Sequence, residues 1–217
     1  MHPITLVIAT ILLALWPARI QAQCDQCKGD FNGDGQVTVD EIIVAVNNAL
    51  NTCPTPGPRF VDNADGTLTD TTTNLMWEKK SDDGSVHDKD TTYTWSVGAP
   101  YDADGETFTS FLATLNAPPC FAGHCDWRLP TLIELQGLAD YARFAPAIDP
   151  LFTTPCTSGC AVTACSCTTL DNYWSATTGA DITLAEQYAW VVDANYGYTN
   201  LFDKTLPSYA RAVRRAP

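Results

Sequence analysis

Seven residues near the start of the chain have the types and spacing of a calcium loop. Asp30, Asn32, Asp34, Gly35, Gln36, Thr38 and Glu41 fall at positions 1, 3, 5, 6, 7, 9 and 12 of an EF-hand. A hard cation such as Ca²⁺ takes roughly six to eight oxygens. Asp30, Asn32 and Asp34 would give side-chain ligands, Gln36 its carbonyl, Thr38 an oxygen directly or through water, and Glu41 two oxygens at once, while Gly35 makes the sharp turn. Val39, Ile42, Ile43, Val46 and Leu50 follow at helical spacing, so Glu41 is expected on the first turn of an amphipathic helix. The pattern predicts a structural Ca²⁺ site.

The second chemistry-bearing set is cysteine. All nine lie beyond residue 22, and in an exported chain that density favours disulfides over thiolate chemistry. Cys120, Cys125, Cys156, Cys160, Cys165 and Cys167 form an even set that can close among themselves in several ways. Cys24, Cys27 and Cys53 leave one over: it bridges to the larger set, stays free, or pairs with another chain. Cys53 is expected to bond Cys24 or Cys27, stapling the helix end back to the loop start. A nucleophilic thiol needs a cation nearby, and no His, Lys or Arg lies between Pro150 and Thr178. A His124/Cys125 pair is conceivable, although Cys125 is near enough to Cys120 to be bridged. With no serine triad, phosphate loop or HExxH, no enzyme is expected.

Periodicity and punctuation place these groups on elements. Ile4 to Trp16 is a short apolar run followed by small residues near Ala22, the pattern of a cleaved secretory signal over residues 1–22 rather than of a membrane span. Gln23 stands before Cys24 where a lipoprotein signal needs a small residue, so a soluble exported protein is expected. Residues 23–53 form the calcium module, with only Gln23 to Gly29 where an ordinary EF-hand has its first helix. Pro54, Pro56, Gly57 and Pro58 make a stiff linker over residues 54–58.

The large domain, 59–217, opens with a strand at Phe60 and Val61 and a hairpin turn at Asp65-Gly66, preferred over a second calcium loop because Thr73 stands where the twelfth-position acid would be. Leu75 to Trp77 is a second strand, and residues 79–90 read as a polar, mobile loop. Phe108, Phe111, Leu112 and Leu115 predict a helix ending before Pro118. In Gly123 to Leu135, a buried-looking Arg128 between Trp127 and Leu129 leads into a second helix. Thr131 and Glu134 have capping-box spacing there, and Leu132, Ile133, Leu135, Leu138 and Tyr141 predict its inward face. Residues 146–170 read as a long cysteine-pinned loop. Short strands follow at Tyr173–Ala176, Tyr188–Asp193, Tyr198–Phe202 and Tyr209–Val213. Two helices and a run of antiparallel strands make an α+β domain.

Four blocks carry a family resemblance in order: RFVDNADGTLTDTTTNLMWEK at Arg59 to Lys79 with GHCDWRLPTLIEL after it, DNYWSATT at Asp171, YAWVVD at Tyr188 and YARAVR at Tyr209. They resemble the DUF1566 family, which includes the C-terminal domain of a collagen-like adhesin. The resemblance implies a fold similar to C-type lectins and the formylglycine-generating enzyme. Asn74 stands where the family usually has glycine, and asparagine tolerates the positive φ such a turn needs. The calcium module resembles one half of a dockerin repeat. By resemblance, the leading function is an adhesin or lectin-like module for an extracellular glycan or other polymer, bound by the long loops. The alternatives are an oxidase of the formylglycine-generating type and a matrix component assembled through its half dockerin.

The remaining candidates have plainer readings. The net charge of −13 and pI near 4.3 exclude nucleic acid as an expected partner and weigh against a polyanion. Trp77, Trp127, Trp174 and Trp190 sit in strand-like apolar runs and are expected in the core rather than on sugars. Arg128, Arg211 and Arg214 can bind an anion or pair with carboxylates, the pairing being preferred for Arg128. The lectin triplets that chelate calcium with sugar are absent. Asp193 with Asn195, or Asp102, Asp104 and Glu106, are read as solvated loop acids.

Overall fold

The computed structural model describes residues 36–47, 50, 57–180 and 185–217. The expected signal segment, Cys24, Cys27, Cys53, Asp30, Asn32, Asp34 and Gly35 lie outside the described residues. The chain divides into two units, Met1–Gly57 and Pro58–Pro217. Among the described residues no helix is long and apolar enough to cross a membrane.

In the first unit, helix α1 covers Val39–Asn47. Its amphipathic spacing predicts an inward face, yet Val39, Ile42, Ile43 and Val46 are all exposed, and Glu41 is its one buried residue.

In the second unit the strands are β1 (Phe60–Asp62), β2 (Thr67–Asp70), β3 (Leu75–Glu78), β4 (Thr92–Tyr93), β5 (Asn172–Thr178), β6 (Tyr188–Asp193), β7 (Thr199–Asp203), β8 (Ser208–Tyr209) and β9 (Val213–Arg215). They form a four-stranded antiparallel sheet, β1-β2-β3-β9, and a five-stranded sheet, β4-β8-β5-β6-β7. The second is mixed: β5 runs parallel to β8 through Tyr173 and Tyr209, which corrects the expectation of antiparallel strands throughout. The α+β class itself stands.

Alternation explains how these strands partition the core. Leu75 and Trp77 point into one apolar cluster with Phe60, Leu68, Leu135, Phe152 and Tyr173, whereas Met76 points into another with Trp95, Phe111, Trp127 and Trp174. Adjacent pairs Tyr173/Trp174, Val191/Val192 and Ala212/Val213 divide in the same way. Successive strand side chains point to opposite faces, so these strands are buried on both sides and read as unbroken apolar runs. Of the four tryptophans expected in the core, Trp77, Trp127 and Trp174 are fully buried, while Trp190 is partly exposed on β6.

The helices are short. A π-helical segment, Thr107–Leu112, runs into α2 (Ala113–Asn116), and α3 covers only Leu132–Gln136. The capping box at α3 is present in full: the Thr131 side chain accepts from the Glu134 amide, and Glu134 accepts from the Thr131 amide at 2.8 Å. Gly137 ends the helix a turn after it begins, so the longer inward face does not exist. Ile133 is 82% exposed and Tyr141 67% exposed.

Two further expectations fail for one reason, the burial of charge. Residues 79–90 are not a mobile loop. Lys79, Lys80, Ser81 and Asp88 are buried, Ser81 pairs with Asp88 as a bridge, and Asp88 accepts from the amides of Gly84 and Asp90. The predicted strand Tyr209–Val213 is split between two sheets, because the chain crosses from β8 to β9 where Arg211 enters the interior. Arg211 Nη1 donates to the Glu78 carbonyl at 2.7 Å, and Nη2 donates to the Cys167 carbonyl at 2.9 Å and to Thr168 Oγ1 at 2.8 Å. Its guanidinium lies over the rings of Phe152 and Tyr173.

Glu78, fully buried, is the matching anion. Its Oε1 lies 3.1 Å from Lys80 Nζ and 2.8 Å from His87 Nδ1, and its Oε2 accepts the Ala212 amide at 2.9 Å. Burial alone would raise the Glu78 pKa; Lys80, His87 and the Ala212 amide outweigh it and hold the carboxyl below its ordinary range. The arginine of the central stretch behaves oppositely. Arg128 is exposed and forms a two-pronged pair with Glu134, at 2.8 Å on each side. That pair, with the cap, lowers the Glu134 pKa to about 2. Asp70 also reaches about 2, burial pulling it up and the hydrogen bonds from Arg59 and Thr72 pulling it down further.

Two outcomes follow for stability. Glu78→Gln leaves Lys80 buried without its counter-charge and is expected to cost about 3–5 kcal/mol, whereas Glu78→Leu combined with Lys80→Met costs less than either alone. Urea midpoints decide it. Because Glu78, Asp70 and Glu134 have depressed folded-state values, their contribution is complete above the unfolded carboxylate range and fades as pH falls from about 4.5 towards 2. Melting temperature measured across that window should fall less steeply in Glu134→Gln than in the parent.

Candidate functional site

The described part of the segment expected to bind calcium is a helix cap. Glu41 Oε2 accepts from the Thr38 amide at 2.9 Å and from Thr38 Oγ1 at 3.0 Å, and the Glu41 amide lies 3.4 Å from Thr38 Oγ1. Positions 9 and 12 of the loop are thus also the two ends of a capping box. Gln36 is exposed just before it.

The six cysteines of the large unit are all paired, as Cys120–Cys125, Cys156–Cys167 and Cys160–Cys165. Cys160, Cys165 and Cys167 lie close enough together to suit a metal, but every one of these sulfurs is held in a disulfide. Asp82, Asp88 and Asp90 also cluster, with Lys89 3.6 Å from Asp82 and paired to Asp90, so the acids are bonded within their own loop. His124 and Cys125 form no nucleophile pair, since Cys125 is bridged.

The loop acids support backbone rather than metal. Asp104 Oδ1 accepts from Ser96 Oγ and the Val97 amide, and Glu106 Oε2 from the Thr94 amide. Asp193 is buried, not solvated, and its Oδ1 accepts the Tyr196 amide at 2.8 Å. Asn195 Oδ1 is buried without a hydrogen-bond partner. Arg211 is unavailable to an external anion because it is buried, and Arg214 is paired with Asp126 at 2.7 Å.

Concavities narrow the choice of site. A cavity of about 30 Å³ between Leu135, Ile148, Tyr173, Val192 and Arg211 holds no more than a water. An open groove of about 530 Å³ is lined by Phe108, Leu112, Asn116, Trp127, Arg128 and Ala176. Its polar groups are already used: the Asn116 side chain bonds the Leu112 carbonyl and both backbone groups of Trp127, and Arg128 is held by Glu134.

The opposite character is found where the β6–β7 turn meets residues 139–150. The turn is fixed by Gly197 N–H donating to the Asp193 carbonyl at 2.8 Å and Asp193 N–H donating to the Tyr198 carbonyl at 2.9 Å. Residues 139–150 are tied to it by Ala145 N–H to the Asn195 carbonyl, Ala147 N–H to the Ala194 carbonyl, and Tyr141 Oη to the Gly197 carbonyl at 3.0 Å. On this frame Tyr196 is 57% exposed, Tyr198 49% and Phe144 79%. The Tyr196 and Tyr198 rings are nearly parallel, at 11° with centroids 6.2 Å apart. A shallow concavity of about 260 Å³ adjoins Phe144, lined also by Arg143, Pro146, Pro150 and Thr153. Sequence reasoning took Tyr198 only as a strand start and Tyr141 as core. The signal for Tyr196 and Tyr198 is tyrosine spaced i, i+2 around the turn glycine Gly197, whereas Tyr141 has no such local signal.

The family profile described as the Lcl C-terminal domain matches residues 66–214. No curated protein and no solved structure matches the chain.

The disulfide assignment makes a direct prediction. Peptide mapping of the unreduced protein should recover Cys120–Cys125 and the linked Cys156, Cys160, Cys165 and Cys167 peptides, with no thiol titrating between residues 58 and 217; a free thiol pair in that span would refute it.

Proposed function

The chain belongs to the Lcl C-terminal domain family, and we propose an exported calcium-binding protein whose large domain is a binding module for an extracellular glycan or other polymer. The observation that carries this reading is the aromatic end of the domain. Tyr141, Phe144, Tyr196 and Tyr198 are large side chains left exposed on two segments tied to each other by the Ala145–Asn195, Ala147–Ala194 and Tyr141–Gly197 hydrogen bonds. A contiguous exposed apolar patch on a rigid frame is the ordinary sign of an interaction site. The disulfides agree with an oxidising compartment.

An oxidase on this fold would need a reactive thiol. The three disulfides consume the cysteines such a site would use, which favours binding over catalysis. The first unit is proposed to bind Ca²⁺ through Asp30, Asn32, Asp34, Gln36, Thr38 and Glu41, whose spacing is that of an EF-hand loop, and to serve a structural role. Calcium would compete with Thr38 for the Glu41 carboxylate, so metal binding and helix capping draw on the same side chain.

Two measurements test these proposals. The mature chain should adsorb saturably to at least one extracellular matrix or cell-wall polymer; adsorption to none of them refutes the binding module. Calcium should raise the melting temperature and protect residues 23–58 from proteolysis, and Glu41→Gln should weaken Ca²⁺ binding about tenfold or more by removing the bidentate ligand. An unchanged melting curve and digestion pattern in calcium and in chelator would remove the metal site.

A further inference from the structure

We infer that Tyr196 and Tyr198 form a stacking platform for the rings of a neutral polysaccharide, and that this platform, not a calcium ion or a basic patch, is where the module holds its ligand. The inference rests on the reading of the large domain as a binding module and adds the site and the ligand's chemistry.

Four observations support it. First, the two rings are nearly parallel, with centroids 6.2 Å apart, and each is half exposed, so each offers apolar ring surface to solvent. An aromatic face is electron-rich, and the flat side of a pyranose offers a row of polarised C–H groups that meet it favourably while the sugar hydroxyls stay wet. Second, among the described residues neither tyrosine hydroxyl has a protein partner. Tyr141 and Tyr173, by contrast, spend theirs on the Gly197 carbonyl and the Thr169 amide. Two unclaimed hydroxyls at the edge of an apolar face suit a ligand that is apolar on one side and hydroxylated at its rim.

Third, the platform is held in place before any ligand arrives. Gly197, with φ +78°, sits between the two tyrosines, and a Cβ there would lie 3.0 Å from Ala139 Cβ and 3.1 Å from the Tyr141 ring. The turn therefore packs closely against residues 139–147, and little side-chain or loop entropy remains to be lost on binding. Phe144 and Tyr196 adjoin in sequence the two ends of the Ala145–Asn195 backbone bond, and both are exposed.

Fourth, charge argues for a neutral ligand. The chain carries a net −13, and the cation nearest this end in sequence, Arg143, is already paired with Asp140 at 2.9 Å. A sulfated or uronic polymer would approach against the net negative charge of the chain and find Arg143 already engaged. Ring stacking itself calls for no cation, and the neighbouring Asp193 Oδ1 accepts the Tyr196 amide.

Affinity electrophoresis of the full mature chain tests this, with hydroxyethyl cellulose, laminarin or dextran in the gel as neutral probes and heparin as the polyanion. Retardation by at least one neutral probe is expected. It should weaken about tenfold or more in Tyr196→Ala/Tyr198→Ala, in line with the loss of two aromatic contacts, and survive in Tyr196→Phe/Tyr198→Phe. Gly197→Ala should weaken it as well with both tyrosines present, because its Cβ displaces the turn. Melting temperature separates this from unfolding, as both rings are half exposed and their removal should leave the fold intact. Retardation by neutral polymer that the alanine pair does not change, or retardation by heparin alone, overturns the platform and leaves the binding module standing. Retardation by none of the four overturns both.

Discussion

The large domain depends on one buried cation finding its partners. Arg211 carries the chain from β8 into β9 and meets the Glu78 carbonyl at the end of β3, the Cys167 carbonyl beside the disulfide loop, and two aromatic rings. Three segments that are remote in sequence converge on one guanidinium. An arginine is suited to this because its donors lie in a fixed plane and its faces tolerate aromatic contact, which a lysine could not reproduce. Beside it the buried Glu78 carboxylate gathers Lys80, His87 and the Ala212 amide, so the neighbouring buried charges are paired as well. The sheets and the disulfide loop are therefore positioned by a polar centre, and the two apolar clusters form around it. Replacing such a centre with apolar groups can leave stability unharmed. What it supplies here is register, because only one alignment of β3 with the C-terminal segment satisfies all of its hydrogen bonds.

What could be read in the sequence was local. The Thr131/Glu134 capping box, the hairpin at Asp65-Gly66 and the left-handed Asn74, with φ 56°, depend on residues a few positions apart, and all three are present. The buried charges could not be read that way. Lys79 and Lys80 lie in a polar run that looks solvated, and their burial is decided by Glu78, Asp62 and Phe111, together with a C-terminal segment more than a hundred residues away. Arg128 misled for the complementary reason: its neighbours Trp127 and Leu129 point inward, so on a bridge-like segment paired with Val213 the residue between them must point out.

The candidate site was hidden by the same logic. Tyr141 has the spacing of a helix face, but Gly137 stops α3 and the chain then turns to pair with the β6–β7 connection, so the tyrosine becomes a strut whose hydroxyl holds the Gly197 carbonyl. The exposed aromatics at this end are thus a consequence of two backbone decisions, a short helix and a glycine turn, neither of which has an apolar signature.

The large unit contains long stretches with little regular structure, as between Phe152 and Asn172, and irregular backbone is stable only where its entropy is reduced. In the large domain three disulfides and the ion network do this permanently, which leaves its surface groups fixed whatever the ionic conditions. In the first unit the proposed calcium loop would do it reversibly, through a carboxylate that otherwise caps α1. The surface groups of the large unit thus need no metal to hold their positions, whatever the proposed calcium loop does in the first unit.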